Sequence, residues 1–304
     1  MGLSFYNIKK WMKMILGNSA LHVNQGIGQF FAIGKLQGYY NDLTEKVSFY
    51  PNIIDNNELP LCETESGDKI VFPVAVFQYA LGLYDLYLKT GQKKYINKFK
   101  QCADWILEIQ DEKGRINNFF YIYPDAPYGA MAQGEAASVL ARAYVTYKEE
   151  AYYQAASKAV MFMLKSVDEG GVTKYEGENV FLLEYTHLPT VLNGWIFAWW
   201  GLYDYTLINS EQYYIDMLQR SLATMVKSLA KFSNNFWSFY DIEGKKIASP
   251  FYHNLHIAQL EVMYELTGKS IFCLYANKWR RYQSNPINKI IAFLAKSFQK
   301  IMEK

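Results

Sequence analysis

The chain has 304 residues, 51% of them hydrophobic and 20% charged, which excludes a disordered protein and leaves room for a substantial core. Its 31 basic and 29 acidic residues give a formal net charge of +2, so no global field marks it for nucleic acid, and any attraction for an anionic partner has to be local. Three widely spaced cysteines, Cys62, Cys102 and Cys273, argue against a disulfide framework and against a Cys-x-x-Cys zinc site. A reducing compartment is the simpler expectation, with no cofactor.

The chain opens with MGLSFYNIKKWMKMILG, in which Lys9, Lys10 and Lys13 interleave with Trp11, Met12, Met14, Ile15 and Leu16. It lacks the long apolar core and small-residue cleavage site of a secretion signal. The pattern predicts an amphipathic helix packed on the domain; such a helix also suits peripheral contact with a membrane. The expected location is therefore cytoplasmic, at the inner face of the membrane. GYYNDLTEKVSFYPNIIDNNELPL follows, rich in Asn, Asp, Tyr and Pro. Residues 1–68 are thus predicted to form an N-terminal helix and irregular arm, and residues 69–304 the main domain.

Four similar segments then succeed one another at 81–107, 139–164, 199–226 and 258–282. Each has an apolar helical stretch ending near Tyr84, Tyr144, Tyr203 or Tyr264, a short polar turn, and an aromatic opening a second helix. The four tyrosines are 60, 59 and 61 residues apart. A lone helical hairpin cannot bury both apolar faces, whereas hairpins stacked side by side give each inner helix two neighbours. The predicted fold class is all-α: an α/α toroid, an incomplete (α/α)6-like barrel of helical hairpins. Tyr84, Tyr144, Tyr203, Trp195, Trp199 and Trp200 are read as packing residues. The connections 111–128 and 168–189 are too long for plain turns and must emerge at one shared end, the usual home of function. The final stretch, INKIIAFLAKSFQKIMEK, sets apolar residues at helical spacing against Lys289, Lys296, Lys300 and Lys304, and is too short in apolar run for the roughly 20 residues of a spanning helix.

Polar and aromatic groups cluster at three loop-to-helix junctions, equivalent positions of consecutive units. In PYGAMAQGEAASVLARAY they are Tyr128, Gln133 and Glu135. In LLEYTHLPTVLNGWIFAWWGLYDY they are Glu184, Tyr185 and His187, with Asn193 in the following helix. In SPFYHNLHIAQL they are Tyr252, His253 and His256. A toroid brings the three junctions to one rim. His253 and His256 also have the His-x-x-His spacing of metal ligands, but no clear third ligand accompanies them, and no metal is expected.

The strings YGAMAQGEA with ARAY, EY followed by PTVLNGWIF and GLYD, and YHNLHIAQL followed by Trp279 and Tyr282 resemble, in order, the motifs of the D-glucuronyl C5-epimerase C-terminal domain. FPVAVFQYALGLYD and WILEIQDEKG extend the likeness to residues 72–282. The resemblance implies inversion of carbon 5 of glucuronate within a polysaccharide or lipid-linked glycan, with Glu184, Tyr185 and Tyr252 as catalytic residues. Tyr128, Gln133, Asn193, His253 and His256 are candidate substrate contacts. Two departures stand out: Thr186 replaces the family's proline after Glu-Tyr, and Ser249 replaces an arginine shortly before the third motif's tyrosine. The β-rich N-terminal domains of the animal enzymes have no counterpart, which leaves the arm, or a second subunit in a homodimer, to complete the cleft.

Abstracting a proton next to a carboxylate generates an enolate, so the reaction needs a base on one face, an acid on the other, and groups that stabilise the carboxylate. Two phenols can form the opposed pair, with His253 and His256 at the carboxylate; Glu184 either orients a tyrosine or is itself a base. A lyase on the same scaffold shares the proton abstraction and differs in the departure of the group at carbon 4. A glycoside hydrolase needs two acids, for which Asp125 and Glu135 are the carboxylates near Glu184. A non-catalytic glycan-binding protein is the reading from another class.

Overall fold

The computed structural model describes residues 23–49, 58–64 and 66–302. The predicted N-terminal helix, part of the arm and Lys304 lie outside the described residues. Within them, a short helix α1 (Thr44–Phe49) precedes four helical hairpins: α2 (Pro73–Thr90) with α3 (Lys93–Ile109), α4 (Ala130–Tyr147) with α5 (Glu150–Met163), α6 (Leu192–Thr206) with α7 (Gln212–Ser228), and α8 (Pro250–Thr267) with α9 (Ser270–Ser284). A last helix, α10 (Pro286–Met302), follows. Two antiparallel strand pairs interrupt the helices, β1 (Leu61–Glu63) with β2 (Lys69–Val71) and β3 (Thr173–Glu176) with β4 (Asn179–Leu182). The result is the expected incomplete α/α toroid, and no described helix is long and apolar enough to cross a membrane.

Inner and outer helices differ in composition. α6 is buried on every face, Trp195, Trp199 and Trp200 included, as a helix ringed by neighbours must be. Its partner α7 buries Tyr214, Met217, Leu218, Ser221, Leu222, Thr224, Met225 and Ser228 along one side and exposes Gln212, Asp216, Gln219 and Lys227 on the other. Three of the four inner helices, α2, α4 and α8, end in a left-handed cap. Gly91, Lys148 and Gly268 have φ of 68°, 60° and 66°, and their N–H groups bond to the carbonyls of Tyr87, Tyr144 and Tyr264. Between α4 and α6 the backbones nearly touch: a Cβ on Gly201 would lie 2.1 Å from the Gly134 carbonyl oxygen. Small residues at this crossing let the inner helices converge.

The inner helices α2, α4, α6 and α8 run parallel, so their N-terminal ends share one rim. Residues 34–40 lie at the opposite end. Tyr39 and Tyr40 are fully buried there; Tyr39 N–H donates to Asp85 (2.9 Å) and Tyr40 OH to Asp204 (2.6 Å). Arg142 bonds to Asp204 at 2.6 Å and to the carbonyls of Gln37 and Gly38, tying the arm to α4 and α6. From the arm, the β1–β2 hairpin reaches the rim, where Ser66 Oγ bonds to Tyr121 OH at 2.7 Å.

Candidate active site

Three connections and one helix deliver the rim's functional groups. Residues 110–129 bring Phe119 and Tyr123, residues 183–191 bring Glu184, Tyr185 and His187, residues 233–249 bring Tyr240, and the first turn of α8 carries Tyr252. These segments are fastened to the scaffold by backbone bonds. Ala130 N–H donates to the Leu183 carbonyl (2.7 Å), and a Cβ on Gly129 would sit 2.1 Å from the Glu184 carbonyl oxygen. Leu192 N–H donates to the Tyr240 carbonyl (3.3 Å) and Ile242 N–H to the Thr190 carbonyl (3.1 Å), which lays the third segment beside the start of α6. Ser249, where the family arginine was expected, is the N-cap of α8: its Oγ accepts from Tyr252 N–H and so fixes the turn that carries the phenol.

Glu184, Tyr185, Tyr240 and Tyr252 form one close-set group, each near enough to a neighbour to affect its ionisation. The rings of Tyr240 and Tyr252 are 4.8 Å apart. Tyr185 stacks on Phe119 at 4.7 Å and meets the edge of Tyr123, which in turn meets His187 at 4.7 Å. The carboxyl of Glu184 is buried, whereas Tyr185, Tyr240 and Tyr252 are each partly open to solvent.

Glu184 is held against the N-terminus of α6. A Cβ on Gly194 would lie 2.2 Å from Glu184 Oε2, so only glycine leaves room for the carboxyl. Burial pushes this carboxyl up to about 7, opposed by the hydrogen bond from Tyr185. Burial, then the charge of Glu184, raises the phenols of Tyr185 and Tyr252 above the ordinary tyrosine value. Near neutral pH the carboxyl is therefore poised to exchange a proton, while both phenols hold theirs.

The second junction carries a further orphan, since Asn193 Oδ1 is buried without a partner, as is Glu184 Oε2. Glu135 lies deeper on α4. Its Oε1 accepts from Gln78 (2.8 Å), and burial pushes it up to about 8, with the charge of Glu184 adding to the rise. The two carboxyls thus sense one another, and Lys46 on α1 opposes the effect.

Other predicted contacts sit differently. Gln133 is fully buried, and with its amide turned it donates to the Gly114 carbonyl and accepts from Ile116 N–H, a structural clasp beneath the 110–129 loop. Tyr128 packs edge-on against Phe162 at 5.4 Å and beneath the Arg115 guanidinium at 5.1 Å. His253 and His256 are fully buried, and burial pushes them down to about 4 and about 3. Burial disfavours their charged forms, so any contact they make with a substrate carboxylate is as neutral hydrogen-bonding groups.

Their tautomers follow from their partners. The Trp279 carbonyl only accepts, so His253 Nε2, at 3.1 Å, carries the proton. Its Nδ1 then accepts from Ser238 N–H (3.2 Å) and Oγ–H (2.7 Å), and Ser238 Oγ accepts from His256 Nδ1–H (3.2 Å). His253 also stacks on Trp237 at 3.7 Å. This chain locks the base of α8 and leaves His256 Nε2 a buried acceptor without a partner.

Sequence reasoning missed Tyr240. It lies in the irregular segment FYDIEGKKI, outside any helical repeat, and only the pairing of that segment with the start of α6 brings it between Tyr185 and Tyr252.

A family profile described as D-glucuronyl C5-epimerase C-terminus matches residues 115–281, which include all four groups of the cluster. The chain is 25% identical over 219 residues to a D-glucuronyl C5-epimerase of Caenorhabditis elegans, covering 63% of this chain and 36% of that protein. It is 29% identical over 160 residues to an uncharacterized protein of Methanocaldococcus jannaschii, covering 50% of this chain and 51% of that one. It therefore spans about half or less of the length of these curated relatives. Among solved structures, a cellobiose 2-epimerase from Bacillus thermoamylovorans superposes with a TM-score of 0.55 at 12% identity, over 76% of this chain and 66% of that one. An unsaturated glucuronyl hydrolase specific for heparin superposes with a TM-score of 0.51 at 11% identity, over 71% and 63%. At such identities these two likenesses concern the fold alone.

Proposed function

The chain belongs to the D-glucuronyl C5-epimerase C-terminus family, and on that premise we propose that it inverts carbon 5 of glucuronate residues in an acidic polysaccharide or lipid-linked glycan. The observation that carries this reading is the grouping of Glu184, Tyr185, Tyr240 and Tyr252 at one rim, where burial raises the carboxyl toward neutrality and holds the phenols protonated. Glu184 serves as the base that takes the proton from carbon 5. Tyr252 serves as the acid that returns one to the opposite face. After inversion Glu184 is protonated and Tyr252 is ionised. Tyr185 and Tyr240, standing between them, pass the proton back and reset the site.

The enolate formed on the way needs hydrogen-bond donors where its charge grows. The phenols supply some. The first turn of α6, which has no side-chain cap, supplies N–H groups and the positive end of the helix dipole.

The test is incorporation of solvent deuterium at carbon 5 of a glucuronate-containing oligosaccharide. Tyr252→Phe is expected to slow it by at least about 100-fold, and exchange at the wild-type rate in that variant sinks the assignment. Release of an unsaturated uronate, seen by its ultraviolet absorbance, reassigns the same proton abstraction to a lyase.

A further inference from the structure

We infer that His253 is a positioning residue: through Ser238 it holds Tyr240 against Tyr252, at the spacing that passing a proton between the two phenols requires. The inference rests on the proposed function for what the phenols do, and on separate geometry for how they are held.

The two tyrosines come from different parts of the fold. Tyr240 belongs to the irregular segment 233–249 and Tyr252 to the first turn of α8, yet their rings lie 4.8 Å apart. His253 directly follows Tyr252, and Ser238 stands two residues before Tyr240. The Ser238 hydroxyl meets His253 Nδ1 at 2.7 Å, and the Ser238 N–H reaches the same nitrogen at 3.2 Å. Both residues are fully buried. Ser238 bridges to Ser233 and Phe239 to Ile247, so the backbone is extended as it approaches Tyr240. Residues two apart in extended backbone face the same way. Ser238 on His253 and Tyr240 on Tyr252 are thus two contacts of one face of the segment with α8.

The clamp closes on itself. His253 Nε2–H donates to the Trp279 carbonyl of α9 (3.1 Å), and the Trp279 indole N–H donates to Ser233 Oγ (3.0 Å), across the bridge from Ser238. Trp237 lies flat on the imidazole at 3.7 Å, its own indole N–H on the Ala248 carbonyl (3.0 Å). Tyr240 and Tyr252 both pack on the small core of Trp237, Ile247, Ala248 and Ala292. One ring therefore fastens segment 233–249, α8 and α9 together.

That ring has to accept at Nδ1 and donate at Nε2, which the neutral imidazole does in a single tautomer. Packing alone asks for no polar ring here, since a phenylalanine also stacks on Trp237. The paired bonds add register: they fix where the segment sits along α8. With both ring nitrogens engaged, His253 acts through the phenols rather than on the substrate.

The experiment compares wild type with His253→Phe, His253→Gln and Ser238→Ala, each also in a Tyr240→Phe background. Deuterium incorporation at carbon 5 of a glucuronate–N-acetylglucosamine tetrasaccharide gives kcat and KM, and thermal unfolding establishes which variants are folded. His253→Phe is expected to lower kcat on the order of 10- to 100-fold, with KM changed by less than about twofold. An amide offers an acceptor and a donor on neighbouring atoms, so His253→Gln should recover part of the loss. Ser238→Ala should show a smaller fall in the same direction, and it carries the test if His253→Phe does not fold. In the Tyr240→Phe background the same substitutions should lower kcat little further, because they act through that phenol. Additive losses in the double variants overturn the inference, as does an unchanged kcat in the single variants or a loss confined to KM. A second measurement needs no turnover: the fluorine resonance of a fluorotyrosine placed at Tyr240 should shift or broaden in His253→Phe and Ser238→Ala, while one placed at Tyr147 stays unchanged. An unmoved resonance at Tyr240 overturns the inference. A moved resonance in a protein whose wild type exchanges no deuterium keeps the clamp and removes the epimerase, whereas exchange with additive losses does the reverse.

Discussion

Replacing Glu184 by glutamine separates stability from activity. The native carboxyl keeps its proton up to about 7, while the unfolded chain releases it near the ordinary value of 4.5. Between those limits the native state binds more protons than the unfolded state, so this residue's contribution to stability falls as pH rises. Above about 7 the site holds a carboxylate in surroundings that disfavour it, at a cost of about 3 kcal/mol relative to the unfolded chain. Glutamine never ionises, nearly preserves the shape, and can still accept from Tyr185. Glu184→Gln is therefore expected to be more stable than wild type by up to about 3 kcal/mol at pH 8.5, with the gap closing toward pH 4.5. Relief of the repulsion on Glu135 acts in the same direction. Urea unfolding followed by tryptophan fluorescence across that pH range measures the difference, and deuterium exchange at carbon 5 should be lost in parallel. A gap that is the same at pH 5 and pH 8.5, or a variant less stable than wild type at pH 8.5, refutes the placement of an ionisable group in a desolvating site.

Gly194→Ala drives a methyl group to within 2.2 Å of Glu184 Oε2; it is expected to destabilise the fold by about 1–3 kcal/mol and to abolish exchange, measured by thermal unfolding and by deuterium incorporation. Ser249→Ala removes the cap of α8, with an expected loss of about 1 kcal/mol and lower turnover through a less fixed Tyr252, read from kcat with KM little changed. Arg142→Met strands Asp204 in the buried end of the toroid, where both side chains of the pair are inaccessible. About 3–5 kcal/mol of stability should be lost, and limited proteolysis should release residues 23–43 first.

Much of the architecture was legible in the order of residues because helical hairpins leave a periodic trace. Tyrosines at 84, 144, 203 and 264 mark the ends of inner helices, and the left-handed turns at Gly91, Lys148 and Gly268 fall just after three of those helices. Glu184, Tyr185 and Tyr252 were visible because each stands at a junction where a loop enters an inner helix. Tyr240 left no such trace, since an irregular segment has no period and its partners are fixed by bonds to residues about fifty positions away. Ser249 read as the loss of an arginine; in the folded chain it is a cap.

The sequence alone determined the inner and outer helices, their number among the described residues, and the rim on which the loops converge, because burial and turn formation depend on local composition and period. Tertiary structure decided the ionisation of the site. A histidine spacing cannot show that His253 and His256 are sealed and neutral, nor a glutamate that Glu184 is pressed onto Gly194 and titrates near neutrality. Charge depends on what surrounds a group in space, and those surroundings are assembled from segments far apart in the chain.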